Sequence, residues 1–394
     1  MESRGSYLLA MLHVVARGRA PLVEIVSVGL AAHTGKALTA EQLVLAGAVW
    51  HRPKDSLAKP VRIMNPSMQV GVEDLVRIHP WPRRYEVEEV DWEKTILFED
   101  EMCVAIDKPA GIPCSPAVDN AFENVLKTLE RRGEGRSKLY LPHRLDTDTS
   151  GILLLGKTKE FTAKVGALLQ KRAVTKHYRA LIASEEEMME GSSGPLKEGQ
   201  NLIHHLLPSS RSPKIFNSHP YTPPGQELPS SQECLSRVVA LSPTFHLPAS
   251  SWLARASASA SQQKQQDKDE DKDKDKLIRA VGAWVSRLAR QGQGQTGLTL
   301  QQVLLELGTG RTHQARGQLS NLGSGCHSSY HIAGDNNYAG ATSLSSDVVD
   351  SYRSSPHLAL QSALMSVPLK AYPGGKLELR LESAWWAPLL INLR

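Results

Sequence analysis

The sequence predicts an α+β protein, a mixed and mostly antiparallel sheet with helices packed around it. Three observations lead there. Strand-like and helix-like patterns alternate irregularly along the chain, which argues for a mixed sheet with helices laid on it. The stretch "GILLLGKT" (151–158) has the unbroken apolar character of a strand buried on both faces. Near the carboxyl end, "HLALQSALMSVPL" and "GGKLELRLESAWW" alternate apolar and polar residues with the period of two that marks strands.

In chain order, "TAEQLVLAGAVW" reads as a helix capped by Thr39, with Leu43 and Val44 on its apolar face and Gly47 as its stop, followed by a short strand. "GVEDLVRIHPWPRRYE" reads as a strand running into a linker, because Pro80 and Pro82 cannot donate to a ladder. A domain boundary is expected near residue 88, giving an amino-terminal region 1–88 and a second domain 89–394. "KTILFEDEMCVAIDKPAGIPCSP" predicts two strands around an acidic turn at Glu99 to Glu101, then a Gly/Pro loop. "AFENVLKTLERRG" has helical spacing, with Phe122, Val125, Leu126 and Leu129 on one face. "TKEFTAKVGALLQKRAV" is again helical, and "KHYRALIA" and "LIHHLL" are strand-like. "LTLQQVLLELGTGRTHQARGQLSNLG" predicts a strand, a glycine turn and a helix beginning near Thr312.

Residues from about 242 to 276 include "ARASASASQQKQQDKDEDKDKDK". A mixed-charge run without apolar residues cannot bury enough surface to offset its ordering entropy, so a low-complexity disordered insertion is expected there. Its alternating signs leave little net charge for an RNA-binding tail. The amino terminus has arginines, small residues and few acids, as a transit peptide would, and it is equally consistent with an ordinary first helix and loop.

Composition narrows the classes. The 394 residues are 41% hydrophobic and 22% charged, and no apolar run reaches the roughly 18 residues of a membrane span, so no membrane insertion is expected. The formal net charge of +5 is compatible with a polyanionic partner. Cys103, Cys114, Cys234 and Cys326 are too few for a disulfide framework and too scattered for a zinc site, so a reducing compartment and no metal are expected.

Four stretches carry candidate chemistry: "KPAGIPCSP" (108–116), "HRLDTDTSGILLLGKT" (143–158), "KHYRAL" (176–181) and "TGRTHQARGQL" (309–319), joined by "GDNNY" (334–338). Their order and spacing resemble the RluA branch of the pseudouridine synthases, which isomerise uridine to pseudouridine in structured RNA. The resemblance covers roughly residues 90 to 390 apart from the insertion, and H-R-L-D-x-x-T-S-G is its most specific element. A weaker similarity, through "LVLAGAVW" and "PRRYEVEEVDW", links the amino-terminal region to the S4-like region of plant organellar members.

The resemblance implies a pseudouridine synthase fold plus a small S4-like α/β region, and a base-flipping isomerase of structured rRNA or tRNA without cofactor. It assigns Asp146 as the nucleophile, Tyr178 as the aromatic packed on the flipped uracil, and Arg316 as the cation paired with Asp146. Arg144 takes the space left by the base. Carboxylates can add to, or stabilise charge at, a sugar's C1′, and a nearby cation keeps such a group ionised. Whether Asp146 attacks C1′ or first assists loss of a sugar proton stays open. His143 joins the RNA-contact set, while Arg311 and His313 are structural or RNA contacts, with Gln314 ordering the loop. Lys108 and Lys176 are phosphate contacts or ordinary solvated lysines, and Asp148 is a turn residue. Two departures stand out: a longer link, "SGCHSSYHIA", and Gln361 where a histidine is usual. A non-catalytic RNA-binding protein and an unrelated hydrolase with a carboxylate nucleophile are the rival classes, but the ordered set is whole and no partner acid is evident. A chloroplast location is favoured, with mitochondrion or cytosol open, and the default state is a monomer.

Overall fold

The computed structural model describes residues 11–31, 38–132, 138–184, 196–209, 213–222, 230–247, 298–322, 330–333, 335, 358–384, 386 and 387. They divide into two compact units, one drawn from Met1–Trp92 and Ile112–Leu139, the other from Glu93–Gly111 and Tyr140–Arg394. Residues 248–276 of the expected disordered insertion, Cys326, and all of "GDNNY" except Asp335 lie outside the described residues. The first part of that insertion is not featureless, since Phe245–Leu247 pair as a strand.

The first unit holds β1 (Leu12–Val15), β2 (Ala20–Pro21), α1 (Leu22–Leu30), α2 (Ala40–Leu45), β3 (Val49–Arg52), β4 (Val61–Ile63), β5 (Gln69–Val70) and β6 (Leu75–Ile78), with α4 (Val125–Arg132) added from later in the chain; the single turn α3 (Trp92–Thr95) follows β6. Four strands form an antiparallel sheet in the order β1-β6-β3-β4, while β2 and β5 pair separately. Thr39 caps α2 as the sequence predicts, and it does so reciprocally with Gln42 in a capping box. Gly47 then takes a positive φ of 74° that a side chain would oppose. Residues 12–30, ambiguous in the sequence, build this unit's core: Leu22 and Val26 of α1 are fully buried with Leu43, Val44, Val49, Val76 and Ile78. A buried His51–Asp74 contact of 2.8 Å ties β3 to the turn before β6.

The second unit contains β7 (Ile96–Glu99), β8 (Cys103–Lys108), β9 (Ser150–Gly156), α5 (Lys159–Gln170), β10 (Thr175–Ser184), β11 (Asn201–Leu206), β12 (Phe216–Asn217), β13 (Gln232–Leu241), β14 (Phe245–Leu247), β15 (Leu298–Leu307), α6 (Gln314–Ser320), β16 (Tyr330–Ile332), β17 (Leu360–Val367) and β18 (Leu377–Arg380). These strands make one mixed, mostly antiparallel sheet, with the path β12-β11-β13-β15-β10-β17-β9-β8-β7 and β14, β16 and β18 attached off it. Among the described strands only the β9–β17 pairing is parallel. All seven residues of β9 are buried, as its apolar run predicts. Phe161 and Val165 of α5 close one side of the core against Cys103, Ala105, Ile152 and Leu154. Thr158 caps that helix by accepting from the Phe161 amide at 3.1 Å.

Candidate active site

The loop before β9 carries Asp146, and four anchors shape it. Leu145 is buried. The Thr149 amide donates to the Asp146 carbonyl at 3.1 Å, closing a turn. The Leu154 amide donates to His143 Nε2 at 3.2 Å. Lys108 Nζ donates to the carbonyls of Thr147 at 2.9 Å and Pro109 at 2.7 Å.

Two expectations change here. Lys108 is neither a solvated lysine nor presented to a phosphate, because its side chain is wholly buried and its ammonium is committed to the loop's carbonyls. His143 accepts a backbone hydrogen bond, and burial, reinforced by the positive charge of Lys176, pushes its pKa down to about 3. It is a neutral acceptor that ties the loop to β9.

The glycine ending the motif has a specific cause. Gly151 sits at φ +104°, and a Cβ there would lie 2.3 Å from the Ser362 carbonyl oxygen of β17. Glycine alone lets the two backbones approach this closely. The register then runs straight across the sheet: Lys108 of β8 opposite Gly151, Gly151 beside Ser362, Ser362 opposite Tyr178, and Tyr178 opposite Leu305. Tyr178 thus lies two strands from the end of the Asp146 loop, in the same row, at 9% exposure and beside an irregularity in the β10–β17 ladder.

The opposite wall is α6, and its docking explains "GRTHQARGQL". Gln314 is buried; its amide donates to the Leu235 carbonyl at 2.9 Å and to Ser236 Oγ at 3.0 Å, while its oxygen accepts from Thr309 Oγ1 at 2.7 Å and the Arg311 amide at 3.1 Å. Gln318, missed as a site residue, donates to the carbonyls of Leu202 at 2.8 Å and Cys234 at 3.0 Å and accepts from Ser236 Oγ at 2.6 Å. Between them a Cβ on Gly317 would lie 2.0 Å from the Phe216 ring. One face of α6 is thereby fixed on β11, β12 and β13, which sets the position of Arg316 and His313.

Arg316 reaches two aspartates. Its Nε and Nη2 form a bidentate pair with Asp335 at 2.7 and 2.6 Å, while Nη1 stands 4.0 Å from Asp146 Oδ2. The tight partner is therefore Asp335, not Asp146, and the carboxylate that grips Arg316 belongs to "GDNNY", a stretch the sequence singled out without assigning the residue. Arg316 and Asp335 side chains are 4% and 0% exposed, whereas Asp146 is 31% exposed. Burial opposes the charge on Arg316, yet the bond and charge of Asp335, with Asp146 and Asp148 behind it, raise its pKa above the ordinary value.

His313 brings Nε2 to 3.8 Å from Asp146 Oδ2 from a left-handed backbone with φ 56° and ψ 24°. Burial lowers its pKa, against the pull of Asp146 and with the push of Arg316. Asp148 has its pKa raised by desolvation and by Asp335 and Asp146, against Arg316 and Lys108, so this turn residue shares the electrostatics of the cluster. Lys176 is half-buried with a pKa lowered by burial, and a Cβ on Gly310 would lie 3.0 Å from its Nζ. Arg144 and Arg311 are exposed. Gln361 is buried and accepts from Arg179 Nη1 at 3.4 Å.

Residues 102–321, more than half of the chain, match the RNA pseudouridylate synthase family. The chain belongs to that family. It is 26% identical over 160 residues to the chloroplastic RNA pseudouridine synthase 6 of Oryza sativa, a stretch covering 40% of this chain and 31% of the relative. It is 36% identical over 112 residues to the ribosomal large subunit pseudouridine synthase D of Nitrosomonas europaea, covering 28% and 32%. With the mitochondrial pseudouridylate synthase RPUSD4 of Mus musculus it shares 31% identity over 183 residues, covering 44% and 48%. The chain spans less than half the length of each of these relatives. Among solved structures, Human RNA Pseudouridylate Synthase Domain Containing 1 superposes with a TM-score of 0.44 at 17% identity, over 76% of this chain and 86% of that one. No helix of the described residues is long and apolar enough to cross a membrane.

Proposed function

We propose that the protein is an RNA pseudouridine synthase acting on uridines of structured rRNA or tRNA, with Asp146 as its nucleophile. The observation that carries this is the half-open Asp146 carboxylate, held on a pinned loop beside the guanidinium of Arg316 and the imidazole of His313. The reaction balances without an outside reactant. The C1′–N1 bond breaks as Asp146 acts at the ribose, the uracil turns, C5 bonds to C1′, the C5 hydrogen leaves as a proton and N1 takes one up.

The buried Asp335 keeps Arg316 charged and fixed, so the guanidinium faces Asp146 without having to reorganise during the reaction. Tyr178 packs on the extracted uracil. Arg144, exposed beside the nucleophile, takes the place the base leaves, since a guanidinium both stacks on bases and bonds phosphates. Extraction costs a few kcal/mol, met by these contacts. Arg311, His313 and Lys176 border the RNA side of the site. Residues 1–88 supply an S4-like RNA-binding region, the catalytic chemistry belongs to the second unit, and the enzyme works as a monomer in an organelle, with the chloroplast favoured.

Release of tritium from RNA labelled at uridine C5 tests the reading. Wild-type protein is expected to release label from organellar or total RNA and Asp146→Ala to release none, with RNA affinity kept. A fully active Asp146→Ala protein would end the assignment of the nucleophile, and no release by either protein would end the assignment of the reaction.

A further inference from the structure

The four-stranded sheet of the first unit has two unlike faces. One carries the apolar side chains covered by α1 and α2. On the other, residues opposite one another in the ladders form a row of His13, Arg77, Trp50 and Arg62 across all four strands. Residues directly opposite in a ladder project to the same side. One pleat further along stand Val15, Leu75 and Arg52, and one pleat back on β6 stands His79. Three inter-strand steps span about 14 Å, room for more than one phosphate.

The cations of this face have few anions of their own. Among the described residues neither Arg52, Arg62 nor Arg77 has an ion pair. The one carboxylate acting on His79, Asp119, is held by Arg83, whose Nε and Nη2 donate to it at 3.0 and 2.9 Å and whose amide adds a third bond at 3.0 Å. His79 is 7% exposed and surrounded by the charges of Arg77, Arg83 and Arg62, yet its Nε2 has no partner among the described residues. The Nε atoms of Arg52 and Arg77 are likewise shielded from water and unbonded. An arginine Nε–H left without an acceptor costs free energy, and both arginines stay partly exposed, so an anion can reach their guanidinium groups from solvent. Trp50 is fixed in the middle: its indole donates to the Val118 carbonyl at 2.8 Å, and the Arg62 guanidinium stacks over its ring at 4.8 Å.

We propose that this sheet face, away from α1 and α2, is a second RNA contact that binds phosphates of the substrate strand through Arg52 and Arg77 beside Trp50. It rests on RNA being the substrate.

The test is the affinity of the full chain for a fluorescein-labelled single-stranded oligoribonucleotide, followed by anisotropy across a salt series. Arg52→Gln/Arg77→Gln is expected to weaken binding about tenfold and to flatten the slope of log K against log salt by about 1.4, two single-strand phosphate contacts at roughly 0.7 each. Unchanged affinity and slope in a double variant that melts like the wild type would overturn the proposal. So would loss of binding to anionic vesicles with RNA affinity intact, which would make the face a membrane contact. Should the double variant fail to fold, photocrosslinking of a 4-thiouridine oligomer to the wild type decides: adducts on residues 49–52 or 75–79 support the contact, and adducts confined elsewhere overturn it. Tritium release is read separately, so an arginine-dependent affinity without release would count against the reaction alone.

Discussion

Arg316 and Arg83 each grip an aspartate with Nε and Nη2, but in different surroundings. In the Arg316–Asp335 pair the side chains are 4% and 0% exposed; in the Arg83–Asp119 pair they are 56% and 4% exposed. A guanidinium taken wholly out of water must keep its counter-ion, because the alternative is an uncompensated buried charge. A half-exposed one can fall back on solvent. The first pair is therefore a fixed part of the site, aiming a third nitrogen at Asp146, while the second closes a loop in the other unit. The same contrast separates both pairs from Arg52 and Arg77, which have no carboxylate partner among the described residues and carry the proposed anion contact.

The largest expected effect is on chemistry. Asp146→Asn removes the proposed nucleophile but neither of Arg316's bonds to Asp335, so turnover should fall by about 10⁴-fold or more, as when a catalytic group is lost from a preorganised site, with the thermal midpoint nearly unchanged. Tritium release and calorimetry on one preparation check both halves. A large drop in stability would mean that Asp146 shares Asp335's structural duty.

Asp335→Asn attacks the buried pair itself. It should cost about 3–5 kcal/mol in urea unfolding, the usual consequence of removing one partner of a buried ion pair, and it should lower activity as Arg316 loses its hold. Asp119→Asn is the matching change at the half-exposed pair, where solvent can take up the freed Arg83 guanidinium, and should cost clearly less. Equal costs for the two variants would erase the distinction drawn from burial.

A subtler effect comes from His143. Its folded-state pKa is pushed from 6.5 down to about 3, so below pH 6.5 the unfolded chain binds the proton that the folded loop refuses. The stability it contributes is complete above that value and is lost as pH falls toward 3. Urea midpoints should drop between pH 7 and pH 5, and His143→Gln, which supplies a neutral acceptor, should shrink that difference. A pH dependence identical in the two proteins would show that the loop does not exclude the proton.

Much of the local structure was legible in the residues. The cap at Thr39, the stop at Gly47, the buried strand from Ser150, and the strand, turn and helix from Leu298 to Ser320 follow from propensity, patterning and backbone chemistry that act within a few positions. Less legible were the short strands β2, β5, β12 and β14, each of two or three residues, because so brief a segment has no periodicity to read and exists through its pairing.

The sequence by itself determined the order of the motifs, the family they belong to and the presence of a carboxylate on a turn before a buried strand, since these depend on residue identity at short range. Only the tertiary structure decided that Asp335 holds Arg316, that Lys108 is spent on the Asp146 loop, that Gly151 yields to the backbone of β17, and that Ile112–Leu139 join the amino-terminal strands. Each of these joins residues far apart in the chain. A buried charge takes whichever counter-ion the packing brings to it, and that choice is made by burial and geometry across elements rather than by any local pattern.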